Sequence, residues 1–167
     1  MSQLKTASET MDLELTDKVL RSIAIFVVLL FTSSLLASMA AVIIVPVFGA
    51  PMATAFAAVV IAPFMEEYAK RFALLQKYPF IYTGIFAGIE ALMYIVILTT
   101  QGVPLLPVII ARALAVGLHF STTHIQKLFH DKGKELNDKQ TSLTGYYVAV
   151  GVHSLWNFLS VIPMFIK

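Results

Sequence analysis

Long apolar segments, separated by short polar or proline-containing stretches, dominate the sequence from residue 23 onward. These segments cover residues 23–48, 52–75, 80–98, 105–128 and 143–165. An α-helix needs about 20 apolar residues to cross the hydrocarbon core of a bilayer, and each segment is close to this length or longer. The pattern therefore predicts an all-α, polytopic membrane helix bundle with about five transmembrane helices.

The breaks between these segments contain turn-forming residues. They are Pro46, Gly49 and Pro51, then Lys77, Tyr78 and Pro79, then Gln101, Gly102, Pro104 and Pro107, and finally a polar loop over 130–140. Residues 1–21 are polar and of mixed charge, and we expect a short amphipathic helix at the membrane interface there. The chain thus divides into an N-terminal segment, 1–21, and a transmembrane domain, 22–167.

Basic residues are distributed very unevenly between the two sides of the predicted bundle. One side holds Lys5, Lys18, Arg21, Lys70, Arg71, Lys77, Lys127, Lys132, Lys134 and Lys139, the other holds Lys167, and Arg112 lies within a span. Positively charged loops face the cytoplasm in most membrane proteins. The N-terminus is therefore predicted to be cytoplasmic.

Composition supports a membrane location and excludes several classes of function. The chain is 58% hydrophobic and 13% charged, whereas soluble domains average about 25% charged residues. It has no cysteine, which excludes disulfides and thiolate chemistry. No glycine-rich phosphate loop or basic nucleic-acid face is visible, so no nucleic-acid partner is expected. Without an organelle-targeting motif, a prokaryotic plasma membrane is the default location.

The second apolar segment carries the hexapeptide Glu66-Glu67-Tyr68-Ala69-Lys70-Arg71. One ionisable side chain at bilayer depth costs about 2.5–3.5 kcal/mol on insertion scales, so four together need an explanation. Helical spacing of four allows Glu66 to reach Lys70 and Glu67 to reach Arg71. The cluster is either an interfacial set of neutralised charges or part of a functional site.

Acids and histidines on four predicted helices share one depth. Glu66, Glu90, His119 and His153 each lie about nine to ten residues, or roughly 14–15 Å, from the predicted cytoplasmic end of their helix. Polar residues with unrelated roles would not be expected to lie at the same depth in the membrane. The coincidence predicts a single polar site in the middle of the bundle.

Helical spacing adds supporting residues to this level. Tyr94 lies one turn from Glu90 and could hydrogen-bond to it, while Arg112 shares a helix face with His119. The alternative roles of Arg112 are to snorkel or to neutralise Glu90 in a structural ion pair. His153 and Asn157 are four apart, so the amide can support the imidazole or point at the same substrate atom. The alternative is a His–Asn pair that only hydrogen-bonds between helices.

The motifs Glu66-Glu67-x-x-Lys70, Phe86-x-x-x-Glu90, His119 and His153-x-x-x-Asn157 resemble those of PrsW-type intramembrane proteases. That group is related to the CAAX prenyl proteases and the bacteriocin-processing (Abi) enzymes. The resemblance covers about residues 60–160, the expected catalytic core. Lys70 fits the PrsW form of the first motif, whereas Arg71 fits the CAAX form. Glu90 stands where the CAAX branch has a histidine, which favours the PrsW side.

This resemblance implies an intramembrane endopeptidase that cleaves a membrane protein or a lipidated peptide. Glu66 would be the general base, His119 would hold the water, and His153 with Asn157 would face the oxyanion. Glu67, paired with Lys70 or Arg71, would orient the site, although the two glutamates could exchange roles.

Two mechanisms and two rival functions remain open from the sequence. A metal-free glutamate mechanism is favoured, while zinc or another divalent metal bound by Glu66, His119 and His153 is the alternative. The same mid-membrane residues would also suit a proton relay or small transporter. A third interpretation is a non-catalytic immunity or binding protein that uses the same pocket.

Overall fold

A computed structural model describes residues 42–76, 78–162 and 165, together with residues 16, 17, 19–21, 23, 24, 27, 28, 32, 35, 36, 38 and 39. Residues 1–15 of the predicted N-terminal segment and many positions of the first predicted span lie outside the described residues. The described positions from 16 to 48 are helical, and Arg21 pairs with Asp17 at 2.8 Å.

Four long helices follow, and they confirm the prediction of an all-α bundle. They are α1, Ala50–Leu74, α2, Pro79–Thr100, α3, Leu105–Glu135, and α4, Lys139–Val161. A π-helical turn, Ala57–Ile61, interrupts α1. Helix α3 packs along α4 and α2, and α1 lies against all three of the others. The second and third predicted spans begin and end close to the ends of α1 and α2. The fourth predicted span begins where α3 begins, but α3 continues beyond its predicted end.

The turns form where the sequence places glycine and proline. Gly49, which precedes α1, has a φ of 84°, and Gly102, between α2 and α3, has a φ of 83°. Glycine adopts these left-handed conformations without steric cost. Pro79 occupies the first turn of α2, where its missing N–H removes no helical hydrogen bond.

The prediction of a polar loop over 130–140 is wrong, because α3 continues to Glu135 and α4 begins at Lys139. The connection is a tight turn in which Asn137 has a φ of 52° and the Asp138 N–H donates to the Gly133 carbonyl at 2.8 Å. This is a Schellman arrangement. Charged residues here continue a helix into solvent, because lysine and glutamate are good helix formers.

Asp138 also begins the next helix. Its carboxylate accepts hydrogen bonds from the backbone N–H groups of Gln140 and Thr141 at 2.9 and 3.1 Å. The Thr141 hydroxyl donates to the same carboxylate and, with these amides, holds the pKa of the Asp138 carboxyl below its usual value. One residue therefore ends the α3–α4 turn and caps α4.

Small and polar side chains fill the interior of the bundle, and large apolar side chains cover its outside. Fully buried positions include Glu67, Thr83, Thr122 and Thr123, and the buried apolar residues are mostly alanines. The exposed large residues include Leu92, Val96, Leu106, Leu114 and Leu155. This arrangement is typical of helices that pack through small residues and face lipid.

Among the described residues, three helices are long and apolar enough to cross a membrane, namely α1, α2 and α3. Helix α4 has sufficient length but is less apolar, since it carries His153, Asn157 and two tyrosines. These findings support a membrane protein. The total of five spans and the cytoplasmic N-terminus stay predictions.

Candidate functional site

Glu67 is the centre of a buried polar network that joins three helices. Its side chain is fully buried, and its Oε1 lies 2.6 Å from Lys70 Nζ and 2.7 Å from His153 Nδ1. Thr122 donates to Oε1 at 3.1 Å, and Gln126 donates to Oε2 at 2.8 Å. Both carboxylate oxygens are therefore occupied by donors, as a buried negative charge requires.

Helix α3 supplies the far wall of this network through one face. Thr122 and Gln126 are four residues apart, so both reach Glu67 on α1, and His119 lies three residues before Thr122 and bonds to Glu90 on α2. Thr122 also accepts a hydrogen bond from Lys70 at 2.8 Å. Thr122 and Gln126 were not predicted as site residues, although their spacing from His119 was a signal that could have identified them.

Two histidines are each held by a carboxylate. His153 contacts Glu67 through Nδ1, and His119 contacts Glu90 through Nε2 at 2.6 Å. An imidazole that donates one N–H to a carboxylate presents its other nitrogen as a bare acceptor. The two rings lie edge to face with centroids 5.3 Å apart. The second nitrogens, His119 Nδ1 and His153 Nε2, can therefore accept hydrogen bonds or bind a ligand in the same part of the bundle.

Glu66 differs from Glu67 in having a side chain that is 17% exposed. Its Oε2 lies 3.6 Å from His153 Nε2 and accepts no hydrogen bond from the residues that the structure describes. His119 Nδ1 is likewise buried without a hydrogen-bond partner in the described part of the chain. Candidate ligand atoms of Glu66, His119 and His153 all lie within 4.8 Å of one another.

These groups line one cavity of about 230 Å³. Its polar lining consists of Glu66, Glu90, Tyr94, Arg112, His119, His153, Asn157 and Ser160, with Trp156 among the apolar residues. Residues from all four helices thus meet, as the shared depth in the sequence predicted. The cavity is large enough for several waters, since a water occupies about 30 Å³ in the liquid.

Arg112 and Tyr94 face each other rather than Glu90. The Arg112 guanidinium lies 4.6 Å from the centroid of the Tyr94 ring. Within the described residues, no carboxylate lies within ion-pair distance of Arg112, and its Nε has no hydrogen-bond partner. The predicted Tyr94–Glu90 hydrogen bond and Arg112–Glu90 ion pair are therefore not found, because Glu90 binds His119 instead.

Asn157 lines the cavity but is partly committed to the backbone. Its Nδ2 donates to the carbonyl of Ala58, within the π-helical turn, at 2.8 Å. A π-helical turn perturbs the regular i to i+4 bonding and is frequent at functional sites. Asn157 therefore fixes the irregular part of α1 against α4.

The two cations of the hexapeptide have separate environments. Lys70 is buried and pairs with Glu67, three residues earlier, rather than with Glu66 as the spacing of four suggested. Arg71 does not reach Glu67, and its guanidinium lies 5.6 Å from the Tyr146 ring centroid on α4. Arg71 and Lys70 point about 100° apart around α1, as adjacent helical residues do, so the two cations contact different neighbours.

Comparison with known proteins finds no match among family models, curated proteins or solved structures.

Proposed function

We propose that this protein is an intramembrane peptidase in which Glu66 activates the water that hydrolyses a peptide bond. The observation that carries the proposal is the Glu66 carboxylate itself. It has an oxygen without a hydrogen-bond donor among the described residues, and it shares a cavity with two carboxylate-held histidines. A base must have a free lone pair beside its water, and Glu66 meets this requirement.

Glu67 is the poorer candidate for the base. Both of its oxygens already accept hydrogen bonds, and its side chain has no exposed surface. Taking a proton from water would require breaking at least one of these bonds, including the close contact with Lys70. We therefore assign Glu67 the role of positioning His153.

The proposed reaction uses groups that line the cavity. A water that donates one hydrogen bond to Glu66 and the other to the bare nitrogen of one histidine transfers the first proton to Glu66 while its oxygen adds to the substrate carbonyl carbon. N–H donors of Asn157 and Arg112 stabilise the resulting oxyanion. Glu66 then gives the proton to the departing amide nitrogen as the carbon–nitrogen bond breaks.

The same donor set suits a divalent metal ion. Glu66, His119 and His153 would hold it, and the carboxylates of Glu67 and Glu90 would orient the two imidazoles, as is usual for metal-binding histidines. The unpartnered His119 Nδ1 and Glu66 Oε2 fit this role. A bound ion would supply Lewis-acid polarisation of water or of the carbonyl.

The substrate is proposed to be a single-span membrane protein or a lipidated peptide in the cell membrane. Support comes from the apolar exterior of the helices and from the motifs that resemble those of PrsW-type proteases. The five spans and the cytoplasmic N-terminus belong to the same proposal. They would place the cavity near the middle of the bilayer.

A proton relay is the second candidate, and one observation favours it. Glu90 is hydrogen-bonded to His119 and Glu67 to His153, and the two imidazoles are in ring contact with centroids 5.3 Å apart. Series of carboxylates and imidazoles pass protons in pumps and transporters.

One experiment separates the two functions. Wild-type protein in proteoliposomes is given a single-span reporter, and fragment masses and pH-driven proton flux are both measured, with empty vesicles as the control. We expect two fragments whose masses sum to the reporter plus one water, without flux. Flux without fragments would contradict the peptidase proposal. The same cleavage assay is repeated after chelation, with metal analysis of the protein and with cobalt(II) binding followed by absorption. These measurements test whether Glu66, His119 and His153 hold a metal ion.

A further inference from the structure

A second polar cavity lies at the end of the bundle that contains the α3–α4 turn. It has a volume of about 180 Å³ and is lined by Tyr68, Arg71, Phe72, Leu74, Leu75 and His130. Arg71 is in the last turn of α1, and His130 lies near the end of α3. None of these residues lines the Glu66 cavity. We call this second cavity the basic pocket.

Both polar residues of the basic pocket have a buried nitrogen without a partner. Arg71 Nη1 and His130 Nε2 accept or donate no hydrogen bond within the described part of the chain. The other sides of these groups are fixed, since His130 Nδ1 lies 3.3 Å from Ser142 Oγ and Arg71 lies over Tyr146. A buried donor without a partner costs free energy, so an acceptor bound in the pocket would stabilise Arg71 Nη1 and His130 Nε2.

The charges around the basic pocket are mainly positive. Arg71, Lys127 and Lys134 lie close enough to act on the His130 imidazole, and Asp131 is the acid among them. Asp131 is already paired with Lys127 at 2.5 Å. No carboxylate of the described residues lies within ion-pair distance of Arg71. The field in the pocket therefore favours an anion.

The remaining wall is apolar and open to the outside of the bundle. Tyr68, Phe72 and Leu75 are 52%, 50% and 68% exposed. Aromatic and basic residues at one level are typical of the membrane interface, where basic pockets between helices bind lipid head groups. An amphipathic anion would satisfy both parts of the lining.

We propose that the basic pocket binds a phosphate group through Arg71 and His130. The planar guanidinium can donate two parallel hydrogen bonds to a phosphate, and His130 can donate a third in the neutral tautomer that carries its proton on Nε2 while Nδ1 accepts from Ser142. The open apolar wall favours an anionic phospholipid as the source of this phosphate. The site is independent of the peptidase proposal, since none of its lining residues lines the Glu66 cavity.

Lipid retention measured by native mass spectrometry tests the site. Wild type, Arg71→Gln and His130→Gln are purified in micelles that contain either phosphatidylglycerol or phosphatidylcholine. Lys132→Gln is the matched control, because it removes an exposed positive charge from the same end of α3. Circular dichroism establishes that each variant is folded.

We expect phosphatidylglycerol to be retained by the wild type and by Lys132→Gln, with about fivefold less retained by Arg71→Gln. Excess glycerol phosphate is the second arm. Displacement of the lipid by this soluble anion would assign the site to free phosphates, and persistence of the lipid would assign it to head groups. Equal retention by wild type, Arg71→Gln and His130→Gln would overturn the proposal, and equal retention of both lipids would overturn the assignment to an anionic head group.

Discussion

Adjacent glutamates in this chain have different environments. Glu67 binds Lys70, Thr122, Gln126 and His153, whereas Glu66 has an oxygen that faces a cavity. Neighbouring helical residues point about 100° apart, so one of the pair can face the packed interior while the other faces a void. The sequence predicted that both belong to the site, but only packing against α3 distinguishes them.

Replacing Glu67 with glutamine should strongly destabilise the protein. The substitution leaves the buried Lys70 ammonium without its counter-charge, and breaking a buried pair in this way costs about 3–5 kcal/mol. Unfolding of Glu67→Gln in detergent should therefore occur at a much lower denaturant concentration than that of the wild type.

Glu135→Gln is the control for this comparison, because Glu135 is an exposed acid at the end of α3. Its free energy of unfolding should stay within about 0.5 kcal/mol of the wild-type value. If Glu67→Gln unfolds at the wild-type concentration, then the buried network does not hold the helices together.

Helix type and approximate position were predictable, because apolar segments of membrane length admit few alternatives. The boundaries of the α3–α4 connection were not predictable, because hydropathy does not distinguish a polar loop from a polar extension of a helix over 130–140. The residues of this segment extend two helices beyond their apolar parts, and Asn137 and Asp138 make the turn. The contact between Arg71 and the Tyr146 ring was not predictable either, because the sequence does not show which residue of α4 lies beside Arg71.

The α3–α4 interface depends on close approach at Gly145. A Cβ atom there would collide with Phe129, while a Cβ at Gly151 on the same helix would meet nothing within 4 Å. Gly145→Ala should reduce the free energy of unfolding by about 1–3 kcal/mol, as overpacking does. Equilibrium unfolding followed by circular dichroism measures the difference.

Gly151→Ala provides the matched control, since it makes the same chemical change on the same helix. It should be neutral or stabilising by up to about 1 kcal/mol, because alanine has the higher helix propensity. Equal effects of the two substitutions would show that α3 and α4 are not in contact at Gly145.

At the scale of the whole molecule, the main result is the meeting of polar groups from four helices. Equal depth along the chain predicted that Glu66, Glu90, His119 and His153 would lie together, and all four line one cavity. Depth says nothing about rotation around a helix, so the pairing of each histidine with its carboxylate required coordinates. The outside of the bundle is apolar, which suits a site enclosed by lipid.

The proposed role of Glu66 as the general base is tested by reporter cleavage by Glu66→Gln, with the unfolding midpoint measured on the same proteoliposome preparation. Because Glu66 Oε2 accepts no hydrogen bond from the described residues, the midpoint should remain close to that of the wild type. Cleavage should fall by about 100-fold or more, as expected when a general base is removed. Folded Glu66→Gln that cleaves the reporter at the wild-type rate would contradict the account.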